Sequence, residues 1–204
     1  MKTKAYANHS QALQSLISLI EETESKALAG HDSYFTDNAN FFCKSFLITT
    51  CTYLESYLKE LAAVIINEAE ERLKTNVIAH NIVKWSLDKT RNLTPVKYEP
   101  FKLNVTETDI DDNISGNVHK TLTFFMKLGI NLESVEDFVA KKDIIGPIIV
   151  KRNKIVHYND DASDLSLGDI KYISGQILEY ILILDSCVTT YISPCLTSPF
   201  QEEA

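Results

Sequence analysis

The sequence is short of the residues on which several common protein classes depend. Six glycines leave little material for a phosphate-binding loop, and no such glycine motif is present, so nucleotide hydrolysis is not expected. The four cysteines form no CxxC pair, which argues against a zinc site or a disulfide framework. Within one helix, Cys43 and Cys51 would stand about 12 Å apart, too far for a disulfide. We therefore predict that the protein uses no metal and no cofactor.

A long uninterrupted apolar segment is also missing. The most apolar stretch, residues 177–192, contains Glu179 and Asp185, and this interruption indicates a core helix instead of a membrane span. Lys2 and Lys4 are followed by small and polar residues, and not by the apolar core of a secretory signal. We therefore predict a cytoplasmic protein that makes no contact with a membrane.

The chain also lacks an excess of positive charge. The chain has 20 lysines and arginines against 28 aspartates and glutamates, which gives a net charge of −8. A protein that binds polyanions without specificity would be basic overall. Any role on nucleic acid must therefore depend on a local basic patch.

Helical periodicity is the main pattern that the sequence does contain. Apolar residues recur at three- and four-residue spacing along most of the chain. The pattern predicts an all-α fold, a helical bundle with two long antiparallel helices, shorter helices and an irregular insertion near residues 92–117. We predict a single domain over residues 1–204.

Local signals predict where the helices of the first half begin and end. The first helix should end before Gly30, and the second should begin at Thr36 or Asp37 and be the longest. A short helix is predicted near residues 77–87, with Trp85 as its apolar anchor.

The second half carries similar signals. Residues 118–128 predict one helix, and Ser134 predicts the start of a short one. Residues 143–158 predict a separate helix with Pro147 in its first turn, where a proline is tolerated. Ser166, which has an acid three residues later, predicts the start of a long final helix.

Residues 151–158 carry the pattern with the clearest chemical meaning. Asn153 and His157 are four residues apart and therefore share a face of a helix, with Arg152 about 100° around the axis. An imidazole can act as general acid or base near neutral pH, and a guanidinium matches a phosphate. Asn153 can orient either group. Together these three suit a cleavage in which the RNA 2′-hydroxyl attacks the neighbouring phosphate without a metal.

The spacing of these three residues is rare. In a chain of this composition, an Arg-Asn pair with a histidine five residues after the arginine has an expected count of about 0.005. The alternative interpretation is a solvated helix end, where the helix C-terminus favours the charged form of His157. Both interpretations stay open on the residues alone.

Arg152, Asn153 and His157 form the pattern RNxxxH, which resembles the signature of the HEPN superfamily of helical ribonucleases. This superfamily gathers enzymes of toxin–antitoxin, abortive-infection and CRISPR systems. Residues 53–59, Tyr-Leu-Glu-Ser-Tyr-Leu-Lys, resemble the acidic-then-basic helix of its RiboL-PSP-like branch. The resemblance covers roughly residues 40–192.

The resemblance implies an endoribonuclease that cuts RNA without a metal, with the RNxxxH residues as its catalytic groups. It also implies a homodimer in which two motifs form one composite cleft, and a role as a toxin or antiviral-defence effector with an antitoxin or a defence-system partner. In one toxin branch, a partner nucleotidyltransferase modifies a tyrosine two residues after the histidine. Here Tyr158 follows His157 directly and Asn159 occupies that position, so this control is not expected.

Glu55 and Lys59 are the candidate supporting residues. Their spacing of four, with the acid first, predicts an ion pair on a helix surface. A second interpretation places Glu55 beside the motif, where its carboxylate would hold Arg152 or His157 in position.

A local basic patch surrounds the motif. Five positive charges fall within fourteen residues, against the single acid Asp143. We predict that the lysines among them bind RNA phosphates, and a dimer would double the patch around one cleft. A solvated helix face is the alternative meaning of such a run. The lysines are Lys141, Lys142, Lys151 and Lys154.

A second class of function fits the same residues. A non-catalytic helical module that binds RNA or protein and regulates a partner would keep the motif for dimer packing. Such a module predicts binding without turnover and loss of the fold or dimer when Arg152 is replaced. A ribonuclease instead predicts loss of cleavage when His157 is replaced.

Overall fold

The computed structural model describes residues 2–30, 33–76, 78–89 and 100–193, and within these ranges the chain forms eight α-helices and one short 3-10 helix. No strand occurs in the described ranges, so the all-α prediction is confirmed. The helices are α1 (Lys4–Ala29), α2 (Ser33–Asp37), α3 (Ala39–Asn76), α4 (His80–Leu87), α5 (Glu107–Asn113), α6 (Val118–Lys127), α7 (Glu136–Tyr158) and α8 (Leu167–Ile192), with the 3-10 helix at Leu132–Ser134.

Four of these helices, α1, α3, α7 and α8, build the bundle. α1 and α8 are a long antiparallel pair, because Thr3 meets Asp185 at one end and Glu21 meets Lys171 at the other. α3 lies against both and runs parallel to α8: the Tyr57 hydroxyl donates to the Ile181 carbonyl at 2.9 Å, and Thr50 bonds Ser174 at 3.0 Å. α7 packs on α3 and α8.

The core lies where these helices meet. α3 contributes a run of fully buried side chains, and α8 contributes a matching run. Burial of such side chains contributes about 1.5–3 kcal/mol each before the entropy of ordering is counted. Fully buried side chains on the two helices include Leu54, Tyr57, Leu58, Leu61, Ile177, Tyr180, Ile181 and Leu184.

A buried carboxylate of α8 holds the N-terminus of α1. Thr3 is the N-cap of α1, and its hydroxyl oxygen accepts from the Tyr6 N–H at 3.0 Å. Asp185 is fully buried, and its carboxylate accepts from the Thr3 N–H at 3.3 Å and from the Thr3 hydroxyl. A negative charge is favourable at a helix N-terminus. The contact therefore fastens the first helix to the last.

Helix ends with strong local signals are where the sequence predicts them. α1 ends at Ala29 because Gly30 adopts φ +67°, a left-handed conformation that favours glycine. α8 begins with a reciprocal cap in which the Ser166 hydroxyl accepts from the Asp169 N–H at 3.1 Å and the Asp169 carboxylate accepts from the Ser166 N–H at 2.8 Å. Both boundaries are confirmed.

α7 differs from the prediction in its length. The sequence predicts a short helix from Ser134 and a separate one over residues 143–158, but α7 is continuous, and Pro147 lies in its interior instead of in its first turn. Burial of Phe138 and Ile145 on one side keeps the helix together across the residue that lacks an N–H.

Two predictions for the first half are also wrong. Thr36 and Asp37 do not cap the long helix, because they lie inside α2, and the Thr36 hydroxyl donates to the Ala27 carbonyl. Trp85 is 54% exposed and does not anchor α4.

The predicted insertion at residues 92–117 is only partly irregular. It contains the helix α5, which begins with a capping pair formed by Thr106 and Asp109. Residues 90–99 lie outside the described ranges.

None of the described helices combines the length and the hydropathy that a membrane span requires. Cys43, Cys51 and Cys187 are free thiols. The described residues hold no cluster of His, Cys, Asp and Glu side chains that is suited to a metal ion.

Candidate active site

The RNxxxH motif occupies the last two turns of α7. Ile155 is buried on the side that faces the bundle, while Arg152 and Asn153 are half-buried and His157 is exposed. α7 ends at Tyr158 because Asn159 adopts φ +50°, a left-handed conformation that asparagine tolerates better than most residues. The solvent exposure of the motif thus increases from the partly buried guanidinium of Arg152 to the exposed imidazole of His157.

Arg152 and Asn153 are joined to each other at the edge of a small cavity. Arg152 Nη1 donates to Asn153 Oδ1 at 3.0 Å. Arg152 Nε is buried and has no hydrogen-bond partner among the described residues. A buried, unused N–H beside a polar cavity is a donor that a bound ligand can satisfy. The cavity holds about 60 Å³ and is lined by Cys51, Glu55, Ser115, Gly116, Asn117, Ile149, Arg152 and Asn153.

The loop between α5 and α6 closes this cavity opposite α7. Gly116 is buried, and a Cβ at that position would lie 3.0 Å from Ile149 Cδ1, so the backbone approaches α7 closely there. Asn117 caps α6, and its Oδ1 accepts from the His119 N–H at 2.9 Å and the Lys120 N–H at 3.2 Å. The sequence analysis did not include this loop in the site. Gly116 is the sequence signal that points to the close approach.

Cys51 is a further residue that the sequence analysis did not place in the site. Burial raises the pKa of its thiol to about 12, although the nearby charge of Arg152 lowers it and that of Glu55 raises it slightly. The thiol is therefore a neutral wall of the cavity, and not a nucleophile.

Alkylation of Cys51 by iodoacetamide at pH 8 should be very slow in the folded protein. A pKa of about 12 in place of 9.0 leaves about 1,000-fold less thiolate. Peptide-resolved mass spectrometry over a time course would measure this rate, with the same protein in urea as the control. Rapid folded-state labelling of Cys51 would contradict the placement of this side chain.

Glu55 and Lys59 lie beside the motif, but their ionic contacts point elsewhere. Glu55 lines the cavity with Arg152, yet its ion pair is with Lys59, at 3.5 Å. Lys59 also pairs with Asp111 at 3.0 Å, and this hydrogen bond is the main reason that the pKa of Lys59 is raised. The structure therefore brings Glu55 to the cavity wall and turns Lys59 towards α5.

The four lysines of the basic patch fall into two groups. Lys141 bonds Gln176 and Glu179 of α8. Lys151 pairs with Asp164 at 2.7 Å and Asp160 at 3.2 Å in the loop after α7, and these contacts raise its pKa.

Lys142 and Lys154 form the second group. Neither has an ion pair among the described residues, and Lys154 is exposed. Of the four lysines, these two are therefore the ones that no carboxylate among the described residues holds in an ion pair.

The comparisons with known proteins agree with the motif. The model of the RiboL-PSP-HEPN family matches residues 6–190. No curated protein matches the chain, and no solved structure does. The match begins within α1, earlier than the residue 40 inferred from the sequence, so α1 is part of the family's domain. Membership of this superfamily indicates a nuclease or RNA-related role. Because the match spans most of the chain, the protein belongs to the RiboL-PSP-HEPN family.

Proposed function

We propose that the protein is a metal-independent endoribonuclease that acts through Arg152, Asn153 and His157. The observation that carries this proposal is the buried Nε of Arg152, which has no partner among the described residues and lies beside Asn153 and a small polar cavity. A guanidinium with free N–H groups matches the oxygens of a phosphate. The family's RNA-related role supports RNA as the source of that phosphate.

The reaction is an internal transfer within the RNA. His157 takes the proton of the 2′-hydroxyl, and the freed oxygen attacks the adjacent phosphorus. Arg152 stabilises the negative charge that develops on the phosphate oxygens, and Asn153 orients the guanidinium. The bond from phosphorus to the 5′-oxygen breaks as that oxygen receives a proton from a second imidazole. The products carry a 2′,3′-cyclic phosphate and a 5′-hydroxyl.

A second copy of the chain supplies the second imidazole in this proposal. The side chain of His157 is exposed, forms no hydrogen bond with the described residues and is not among those that line the cavity. The neighbouring Val156 and Tyr158 are 46% and 82% exposed, which leaves apolar surface for pairing next to the motif. A homodimer would bring two motifs into one cleft and bury this surface.

The proposed setting is the cytoplasm, where the enzyme acts as a toxin or an antiviral-defence effector. An enzyme that cuts RNA without a metal cannot be restrained by withholding a cofactor, so a cell needs another way to restrain it. We propose an antitoxin or a defence-system protein in that role, supported by the family to which the chain belongs.

Cleavage of mixed RNA by the purified protein should continue in excess EDTA and should leave 2′,3′-cyclic phosphate ends. The nucleophile in this reaction is the 2′-hydroxyl of the RNA itself, so no metal-bound water is required. Gel electrophoresis followed by end-specific phosphatase treatment would identify the ends. Strict dependence on magnesium, or ends with a 5′-phosphate, would overturn the mechanism.

A non-catalytic module remains the second candidate because Arg152 is half-buried and bonded to its neighbour. If Arg152 serves packing, Arg152→Ala will lower the midpoint of thermal unfolding or dissociate the dimer. If it serves chemistry, the variant will fold normally and lose cleavage. Circular dichroism melting and sedimentation on the same samples separate the two.

A further inference from the structure

A larger groove continues from the motif along α7. It lies between α6 and α7 and shares Asn117, Ile149 and Asn153 with the small cavity. Its volume is about 390 Å³, within the range of sites that bind small molecules. The groove therefore begins at Asn153, one of the three residues to which the cleavage chemistry is assigned, and extends away from it.

The floor of the groove is apolar and accessible. Leu122 of α6 lines it together with Gly146, Pro147 and Val150 of α7. Val150 is 54% exposed, and a Cβ on Gly146 would meet no atom within 4 Å. Apolar surface of this kind suits the face of an unstacked base.

The far end of the groove carries one lysine, Lys142, which is half-buried and has no ion pair among the described residues. It precedes Asn153 by eleven residues of α7, which is roughly 16 Å along the axis. A phosphate bound by Lys142 would therefore not be the scissile phosphate. His119, at the first turn of α6, lines the opposite side of the groove.

Two carboxylates line the groove as well. Glu133 and Asp143 are exposed, and carboxylates accept hydrogen bonds from the amino groups of bases. They would repel a second phosphate. The groove therefore suits a single RNA strand whose backbone passes Lys142 and whose bases contact the carboxylates.

We propose that this groove binds the unpaired nucleotides of the RNA substrate next to the scissile phosphate. One base lies on Leu122 and Val150, and a phosphate further along the strand meets Lys142. The RNA must be single-stranded there, because the base edges and faces of a duplex are not available to such a groove. This inference rests on the proposed function, which places the scissile phosphate at Arg152 beside Asn153 and so sets the direction in which the RNA enters the groove.

Two variants and two matched controls test the groove. Gly146→Leu fills it, and Gly175→Leu makes the same change within α8, where a Cβ also meets nothing within 4 Å. Lys142→Ala removes the cation of the groove. Its control, Lys120→Ala, removes a lysine next to His119 in the sequence, and this lysine lines a different hollow together with Asp112 and Asn113. The helix propensity gained by leucine is equal in both glycine variants.

Binding is measured in the His157→Ala background with a fluorescent single-stranded RNA and with a base-paired stem of the same length. Gly146→Leu should weaken single-strand binding at least fivefold, the loss expected for one stacked base. Lys142→Ala should reduce the slope of log K against log salt by about one. Both controls should bind like the parent, and the paired stem should bind more weakly than the single strand.

Some outcomes overturn the proposal that the groove binds RNA, and others overturn the cleavage proposal. Unchanged binding by Gly146→Leu and Lys142→Ala, or equal binding of paired and unpaired RNA, overturns the groove even if the wild type cleaves RNA. A change from dimer to monomer in Gly146→Leu, seen by sedimentation, shows that a second copy fills the groove and also overturns it. Wild-type protein that binds RNA in the groove but does not cleave it overturns the cleavage proposal alone.

Discussion

Replacement of His157 by alanine is expected to lower the rate of RNA cleavage by about 100- to 10,000-fold, the usual contribution of a general acid or base. The fold should not change, because the His157 side chain is exposed, lies in the last turn of α7 and forms no hydrogen bond with the described residues. The initial rate on a defined single-stranded oligonucleotide, at a substrate concentration well below saturation, measures the effect.

A matched control is His80→Ala. His80 is half-buried on α4, where it makes an edge contact with Phe101, and α4 makes no substantial contact with α7. Its removal should leave the cleavage rate within twofold of the wild type. If His157→Ala and His80→Ala both cleave RNA at the wild-type rate, His157 has no part in the mechanism.

The same variant gives access to the proposed dimer. Co-expression of wild-type and His157→Ala chains, each with a different tag, yields mixed dimers that tandem affinity purification isolates. If both imidazoles act in one cleft, the mixed dimer lacks one of them and should cleave RNA far more slowly than half the wild-type rate. A rate of about half that of the wild type would place a complete site within each chain.

Asp185→Ala should be among the most destabilising polar substitutions in the protein, with a loss of about 3 kcal/mol in the free energy of unfolding. The carboxylate is fully buried and accepts from both the N–H and the hydroxyl of Thr3. Its removal leaves two buried donors unsatisfied and takes a negative charge from the N-terminus of α1. Urea unfolding followed by circular dichroism measures the loss.

Two further variants separate the capping contact from a general effect of mutation. Lys2→Ala removes an exposed bond to Ser186 on the same side of the bundle and should cost little. Asp185→Asn keeps an acceptor and should lose less than the alanine variant. Amide hydrogen exchange should show faster exchange in the first turns of α1 in Asp185→Ala. Equal protection of α1 in both proteins would mean that this contact does not hold the helix.

The parts of the fold that sequence could predict are those decided within a few residues. Gly30 ends α1 because only a residue that tolerates positive φ fits there, and Ser166 begins α8 through a contact with a residue three positions later. Pro147 shows the limit. Its local preference is for a helix start, and packing of residues on both sides of it overrides that preference.

The candidate site was predictable in the same partial way. The spacing of Asn153 and His157 fixes their common face on any helix. The partners of Arg152 depend instead on where α3 and the loop at residues 114–117 lie against α7, and those contacts join segments up to about a hundred residues apart. The ion pairs of Lys141 and Lys151 arise from the same long-range packing, so a count of charges along the sequence overstates the free positive charge.

Because α3 and α8 are parallel, the candidate site and the core are built from different segments of the chain. Two neighbouring parallel helices require a long connection that returns to the starting end, and here residues 77–166 make that connection. The motif, the cavity loop and the groove all belong to it, apart from the wall that α3 provides. Insertions, deletions and substitutions in the returning segment can therefore remodel substrate choice while the three-helix frame of α1, α3 and α8 is inherited unchanged. A chimera that exchanges this segment between two family members should carry RNA preference with the segment and thermal stability with the frame.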